Sequence, residues 1–462
     1  MNIPFPFDPL LCFGWLSIAL LVGVLLRATV PFFQKFLFPG CLIGGILGLA
    51  AMHLGMINLS VDMLEGFAYH LFIISFISLG LTPGEQSGPG TSKEIARGGL
   101  WMALVEGVTL PMQAIIGGLV IMALGYIGVK LFPTFGFLVS LGFTEGPGQA
   151  LSIGKVWEGF GFQFAATIGL TFAAAGYLVA VFLGVPLANR GVRKGQARYL
   201  PRALPMDFIR GLVGRGDKKE PAGYQTTNSS NIDTLALHFA LVGLVYILTY
   251  HLVKFVAGLL SADMADMLWG FFFFAGLLVA LLVRLLMTGL NIAYTIDPGV
   301  QRRVTGWAVD YLIVATMMAI QLVVVKEFIV PVSIIIVLAT VSTAWIVFYL
   351  GRRLWSNQLE RTLAIFGTCT GTVSTGLLLL RIVDPEFKTG TALELGFMNV
   401  FVAPIVLGSM LLLNAPILWG WSLGLTMLVF AAIMAASLLG LKILTTWVPK
   451  RIPQSCKAPP TR

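Results

Sequence analysis

Glu145 stands in the middle of an apolar run, within Thr144-Glu145-Gly146-Pro147-Gly148-Gln149-Ala150. A carboxylate at bilayer depth is expensive and normally serves a function. It can bind sodium, accept a substrate ammonium group or carry a proton. A second apolar run, in the other half of the chain, is broken by Gly367-Thr368-Cys369-Thr370-Gly371-Thr372, followed by Ser374, Thr375 and Gly376. Glycine lets backbone approach a ligand closely, which singles out Gly146, Gly148, Gly367 and Gly371. Thr144, Gln149 and Ser152 in the first break, and Thr368, Thr370, Thr372, Ser374 and Thr375 in the second, supply neutral oxygens. Such oxygens suit an alkali ion or the amino group of a substrate. A broken helix also offers free N–H groups to an anion and freed carbonyls to a cation. The competing reading is a kinked helix with packing glycines and hydroxyls bonded to the preceding turn. Two breaks at equivalent places in two halves weigh against it.

Other polar residues sit within apolar stretches. Asp310 either pairs with Arg302 or Arg303 or faces the breaks as a coupling-ion ligand. His70, at the matching place in the first half, reads as a packed or hydrogen-bonded histidine. Glu106 precedes the helix-kinking Pro111 and either lines a cavity or satisfies backbone freed by that proline. Asn399 is a cavity candidate. A sodium ion would draw on Glu145, Thr144, Thr370, Thr372 and Asp310. Lys155 and Glu158, three apart, form a helix-surface pair. Gly40 and Gly44 form a GxxxG pattern that permits close helix packing.

The elements that must position these residues are transmembrane. Of the 462 residues 57% are hydrophobic and 11% charged, and the mean hydropathy is +0.90; a soluble domain carries about a quarter charged residues. The chain therefore reads as an all-α polytopic membrane protein. Its net charge of +9 reports membrane orientation, not nucleic-acid binding. Four cysteines (Cys12, Cys41, Cys369, Cys456) and four histidines (His53, His70, His238, His251) show neither a disulfide framework nor metal-ligand spacing. Residues 1–8 hold no basic residue, which argues against a cleaved signal peptide.

A spanning helix needs about 20 apolar residues. The expected spans are roughly 9–27, 37–55, 65–82, 97–124, 163–187, 234–260, 266–288, 304–325, 328–350, 392–413 and 416–441. The broken segments, about 134–160 and 359–382, have arms of about half a bilayer core and read as re-entrant hairpins. Placing the basic stretch from Arg190 to Lys219 in the cytoplasm puts the N-terminus outside. It also puts the C-tail, with Lys450, Arg451, Lys457 and Arg462, inside. Of 30 Lys and Arg, all but Lys130, Lys155, Lys254 and Lys326 then fall on the cytoplasmic side. Counting either hairpin as a full crossing would break that sorting.

The expected organisation is a first repeat over 1–187, a cytoplasmic basic linker over 188–233, a second repeat over 234–414, and an extra helix with its tail over 415–462. Each five-helix half carries its hairpin before the fifth span, and the odd number of crossings inverts the second half. Phe67-Ala-Tyr-His-Leu-Phe-Ile-Ile-Ser resembles Trp307-Ala-Val-Asp-Tyr-Leu-Ile-Val-Ala, in keeping with an inverted repeat. The linker could also meet anionic lipid headgroups.

This layout, over about residues 9–414, resembles the bacterial glutamate:sodium symporter family. That family carries a Gly-Gly-His-Gly-Thr type stretch in its first hairpin. Phe143-Thr144-Glu145-Gly146-Pro147 corresponds here, with Gly146 kept and glutamate where histidine is usual. Gly371 and Thr372 match the second hairpin, and Pro39 with Ile43-Gly44-Gly45 the second span. The resemblance implies sodium-coupled uptake of glutamate or a related organic anion, an elevator-like movement, a homodimer and the bacterial inner membrane. Sodium is then the coupling ion, with no other cofactor. Proton coupling or cation/proton antiport through Glu145 is the alternative, and an ion channel is a competing class. No HExxH, GxSxG or P-loop pattern is present, so the reading is not an enzyme.

Overall fold

A computed structural model describes residues 6–83, 92–199, 204–217, 219, 221–385 and 387–446. Among the described residues the chain is helical and has no strand. Helices satisfy all their backbone groups internally, which lipid demands. The basic C-tail lies outside the described residues, as do Lys218 and Arg202.

The first half contains α1 (Asp8–Thr29), α2 (Gly40–His53), α3 (Val61–Leu81), α4 (Ser92–Tyr126), α5 (Phe135–Glu145), α6 (Pro147–Gly159) and α7 (Ala165–Arg193). The second contains α8 (Thr234–Ala257), α9 (Ala262–Gly270), α10 (Phe272–Gly289), α11 (Pro298–Met318), α12 (Ile329–Gly351), α13 (Gln358–Cys369), α14 (Val373–Val383) and α15 (Thr391–Leu413). The last helix is α16 (Leu423–Thr446). Local chemistry sets several starts: the Ser60, Asp233 and Asp297 side chains accept first-turn N–H groups of α3, α8 and α11. Proline occupies the first turn of α1, α6 and α11, where its missing N–H costs nothing.

Nine helices among the described residues are long and apolar enough to cross a membrane. Two of the expected spans differ. Residues 37–55 yield only the 14-residue α2, about 21 Å of helix against a hydrocarbon core of about 30 Å. The span expected at 304–325 begins earlier, at Pro298, and its first turns carry Arg302 and Arg303, so it is less apolar than the rest. The expected broken segments become two helix pairs, α5 with α6 and α13 with α14, each split at its glycines.

Packing between the halves is reciprocal. α3 and α11 pack on each other, α2 packs on α11, and α10 packs on α3. α4 and α12 also meet. α1 and α2 approach closely at Gly40 and Gly44: a Cβ on Gly44 would run into the Ala19 carbonyl. α3, α4 and α7 each bury 61% of their most apolar stretch, against 22% for α1, α8 and α16. The former are therefore interior, and the latter turn apolar side chains outward, as lipid-facing helices do. α4 is flanked by α15 and α16 and carries α5 on another side.

The segment after α7 is not simply a solvated linker. α7 continues to Arg193, the Arg198 N–H donates to Glu360 at the start of α13 and its guanidinium to Asn357. The Arg27 guanidinium donates to the carbonyls of Leu37, Phe38 and Phe208, tying α1 to both loops.

Candidate substrate and ion site

The tips of the two broken segments meet. Gly146, between α5 and α6, has φ +94°, a backbone conformation that an L side chain rarely adopts. A Cβ there would lie 2.7 Å from Thr372 Cγ2 and 3.3 Å from the Gly371 carbonyl oxygen. The last turn of α5, Leu141–Glu145, is π-helical, a widening often found at functional sites. α6 begins at Pro147 and α14 at Val373, so two helix N-termini converge on this junction. Each carries partial positive charge and free N–H groups.

The tip of the second segment folds tightly on itself. Its arms are so close that a Cβ on Gly367 would lie 2.7 Å from the Thr375 carbonyl oxygen. Thr375 Oγ1 donates to the carbonyls of Gly367 and Thr372 and accepts the Thr372 N–H at 2.9 Å. Thr368 and Thr370 donate to the carbonyls one turn back, Ala364 and Phe366. Their hydroxyl protons are thus spent locally, while their lone pairs remain. The Thr372 hydroxyl caps α14 by accepting the Thr375 N–H, and it lies beside the Tyr177 hydroxyl. Ser374 is exposed at the tip.

In the first segment, Thr144 is buried and donates to Gln113 Oε1 at 2.8 Å. Gln113 Nε2 donates to the Cys369 carbonyl at 3.2 Å and to Thr343 Oγ1 at 3.0 Å. One glutamine of α4 thereby links α5, α12 and the end of α13. Gln149 Nε2 reaches Glu145 Oε2 at 3.4 Å. Glu145 Oε1 is buried and unpartnered, and so is Oε2 of Glu106, a residue 5% exposed. The two carboxylates lie within electrostatic reach of each other and of the Cys369 thiol. Thr109 Oγ1 donates to that sulfur at 3.1 Å. Among the described residues no Lys or Arg forms an ion pair with Glu106 or Glu145.

Gly148 and Ser152 face elsewhere. A Cβ on Gly148 would collide with the Phe72 ring of α3, and Ser152 Oγ donates to the Gly270 carbonyl at 2.7 Å. Both seat α6 on its neighbours. Lys155 bridges Glu158 at 3.0 Å, as its spacing suggested, and also the buried Glu65 of α3 at 2.7 Å. Asp310 is exposed, yet it lies beside the buried Cys41 thiol and near Tyr177. His70 is hydrogen-bonded to Tyr246 Oη at 2.7 Å. Asn399 is exposed on α15.

Sequence reasoning missed Gln113 and Tyr177. Glu106, Thr109 and Gln113 follow an i, i+3, i+7 spacing, which places them on one face of α4; that spacing was the available signal for Gln113. Nothing local marks Tyr177, since only tertiary packing brings it to Thr372. A surface groove of about 520 Å³ lies away from the tips between α4 and α12. Its lining, which includes Leu119, Val120, Leu338, Val341 and Trp345, has no titratable group.

No protein-family model, no curated protein and no solved structure matches the chain.

Proposed function

We propose that this chain is a secondary active transporter that takes up glutamate or a related organic anion together with sodium. The observation that carries the reading is the meeting of two half-helix N-termini at Gly146 and Thr372. An anion bound there is favoured by both helix ends. Glu145 would repel it, so a cation must neutralise the site before or with the substrate. That requirement is a physical basis for symport: the anion binds well only when the cation is present.

In this reading the two broken segments are re-entrant hairpins that enter from opposite sides. The two halves form an inverted repeat, with the N-terminus outside, the C-terminus in the cytoplasm and the chain in the bacterial inner membrane as a homodimer. The reciprocal packing of α2 on α11 and α10 on α3 supports that symmetry. Alternating access would move α4–α7 and α12–α16 against α1–α3 and α8–α11. Sodium would be drawn from Glu145, Thr144, Thr370 and Thr372, with Asp310 in the same pathway. The partners are then a small anionic substrate and the lipid bilayer.

The test is uptake of labelled glutamate, with aspartate and simple dicarboxylates as competitors, into proteoliposomes under an imposed sodium gradient. Saturable, sodium-dependent accumulation is expected. Large non-saturating currents without accumulation would show a channel and overturn the reading. A second reading, proton coupling or cation/proton exchange, is favoured by the unpaired carboxylates of Glu106 and Glu145. Uptake driven by a pH gradient in sodium-free buffer would select it.

A further inference from the structure

The oxygens around Glu106 point to a cation site more enclosed than the hairpin tips. Glu106 is on α4, Glu145 at the end of α5, and both carry an unpartnered, buried carboxylate oxygen. Two enclosed carboxylates without a cationic partner form a strongly unfavourable pair. Hydrogen bonding relieves them little: Gln149 Nε2 reaches Glu145 Oε2 only at 3.4 Å, and the Thr109 hydroxyl donates to the Cys369 sulfur and to the Glu106 carbonyl, not to the carboxylate. Through Thr144, its neighbour in the chain, Glu145 adjoins a set of acceptors. The Thr144 hydroxyl and the Gln113 side-chain carbonyl lie one contact away from the Cys369 carbonyl. Pro111 lacks an N–H, so the Gly107 carbonyl, next to Glu106, loses the partner a regular helix would give it.

We infer that Glu106 and Glu145 together hold the coupling cation, and that this cation is sodium, bound by the two carboxylates with the Thr144 hydroxyl and neighbouring carbonyls. The inference rests on the transport reading and refines it: Glu106 becomes a ligand that the tips alone do not supply. Hard oxygen donors favour alkali and alkaline-earth ions over softer metals. The site adjoins the Gly146 junction, so a cation there would offset the negative charge facing an anion at the helix N-termini. On the adjacent face of α4, a Cβ on Gly107 would lie 2.7 Å from Ser437 Oγ of α16.

The experiment is thermal unfolding of the purified full-length protein in detergent, with sodium, lithium, potassium, magnesium or calcium chloride compared with choline chloride at matched ionic strength. No substrate is added. A ligand bound only to the folded state raises the melting temperature by mass action. Sodium is expected to raise it for the wild-type protein and for Glu327→Gln, an exposed acid elsewhere. Glu106→Gln and Glu145→Gln should each lose the sodium-dependent rise. Glu106→Asp keeps the charge with a shorter reach, and should need about tenfold more sodium for the same rise, equivalent to about 1.4 kcal/mol of binding. This variant serves if Glu106→Gln fails to fold.

An undiminished sodium response in Glu106→Gln, or an unshifted one in Glu106→Asp, overturns the inference. So does a rise given equally by choline, which reports ionic strength alone, or one given by calcium and not sodium. The transport reading fails separately: a sodium response intact in the wild type and lost in both variants, with no uptake of any anion tested, counts against transport and leaves the cation site standing.

Discussion

Gly146 and Thr372 come from opposite halves of the chain and touch, with 2.7 Å between the Thr372 Cγ2 and the place a Cβ on Gly146 would occupy. The contact depends on glycine twice over. Gly146 has φ +94°, and a methyl group there would press on Thr372. Separating the tips would pull the α6 and α14 N-termini apart, and with them the field that favours an anion.

Gly146→Ala should therefore impair function more than stability. Unfavourable backbone conformation costs about 1–3 kcal/mol, while displacement of the tip should reduce anion uptake at least about tenfold. Uptake in proteoliposomes and the melting temperature, measured on the same preparation, check the pair. Near-normal uptake with a large loss of stability would mean the junction only packs.

The bridge between Lys155 and Glu65 joins α6 to α3 at 2.7 Å. Glu65 is 4% exposed and Lys155 about half exposed. Lys155→Met leaves a buried carboxylate without its partner. Solvent at the lysine discounts the effect, so the expected cost is about 1–2 kcal/mol. Glu65→Gln removes the charge that needs pairing and should cost less. A double-mutant cycle read by thermal unfolding gives the coupling; two additive mutations would show that the bridge contributes nothing.

Some of this was open to sequence reasoning, for identifiable reasons. The breaks at Gly146 and at Gly371 were legible because glycine and polar residues interrupt otherwise unbroken apolar helices. The Lys155–Glu158 pair was legible because helical spacing brings i and i+3 together. Glu65 was not, since its partner lies on another helix and nothing in Val61–Leu81 marks which face meets α6. The same holds for Gln113 and Cys369, remote in sequence and joined by a 3.2 Å hydrogen bond. α2 was misjudged in length because its apolar flanks, Leu37 and Phe38 at one end and Leu54 at the other, read as span but leave the helix.

Trp157, on α6, donates to Asn414 Oδ1 at the junction before α16, and the Asn414 amide donates to the Met410 carbonyl. Both residues are fully buried. Asn414→Leu conserves volume roughly but strands the indole N–H, an expected cost of about 1–3 kcal/mol. Adding Trp157→Phe removes the stranded donor and should restore part of the loss. Thermal unfolding of the single and double variants tests this. A double variant less stable than the sum of the singles would contradict it.

Gln113 is the residue where tip geometry and the inferred ion site meet. It accepts from Thr144 and donates to Thr343 and to the Cys369 carbonyl, all from a fully buried position. Methionine matches its length and flexibility but can make none of these bonds. Gln113→Met should therefore leave the fold in place while freeing Thr144 and Cys369 to shift. Losing their alignment weakens cation binding first, because the Thr144 hydroxyl and the Cys369 carbonyl belong to the inferred site. The expected result is a sodium requirement raised about tenfold, equivalent to about 1.4 kcal/mol, with substrate affinity at saturating sodium close to that of the wild type. Gln113→Glu adds a third carboxylate beside Glu106 and Glu145 and should depress uptake further at every sodium concentration. Sodium titrations of uptake for both variants separate the effects. A Gln113→Met protein whose maximal rate falls with its sodium requirement unchanged would place Gln113 in the conformational change and outside the ion site.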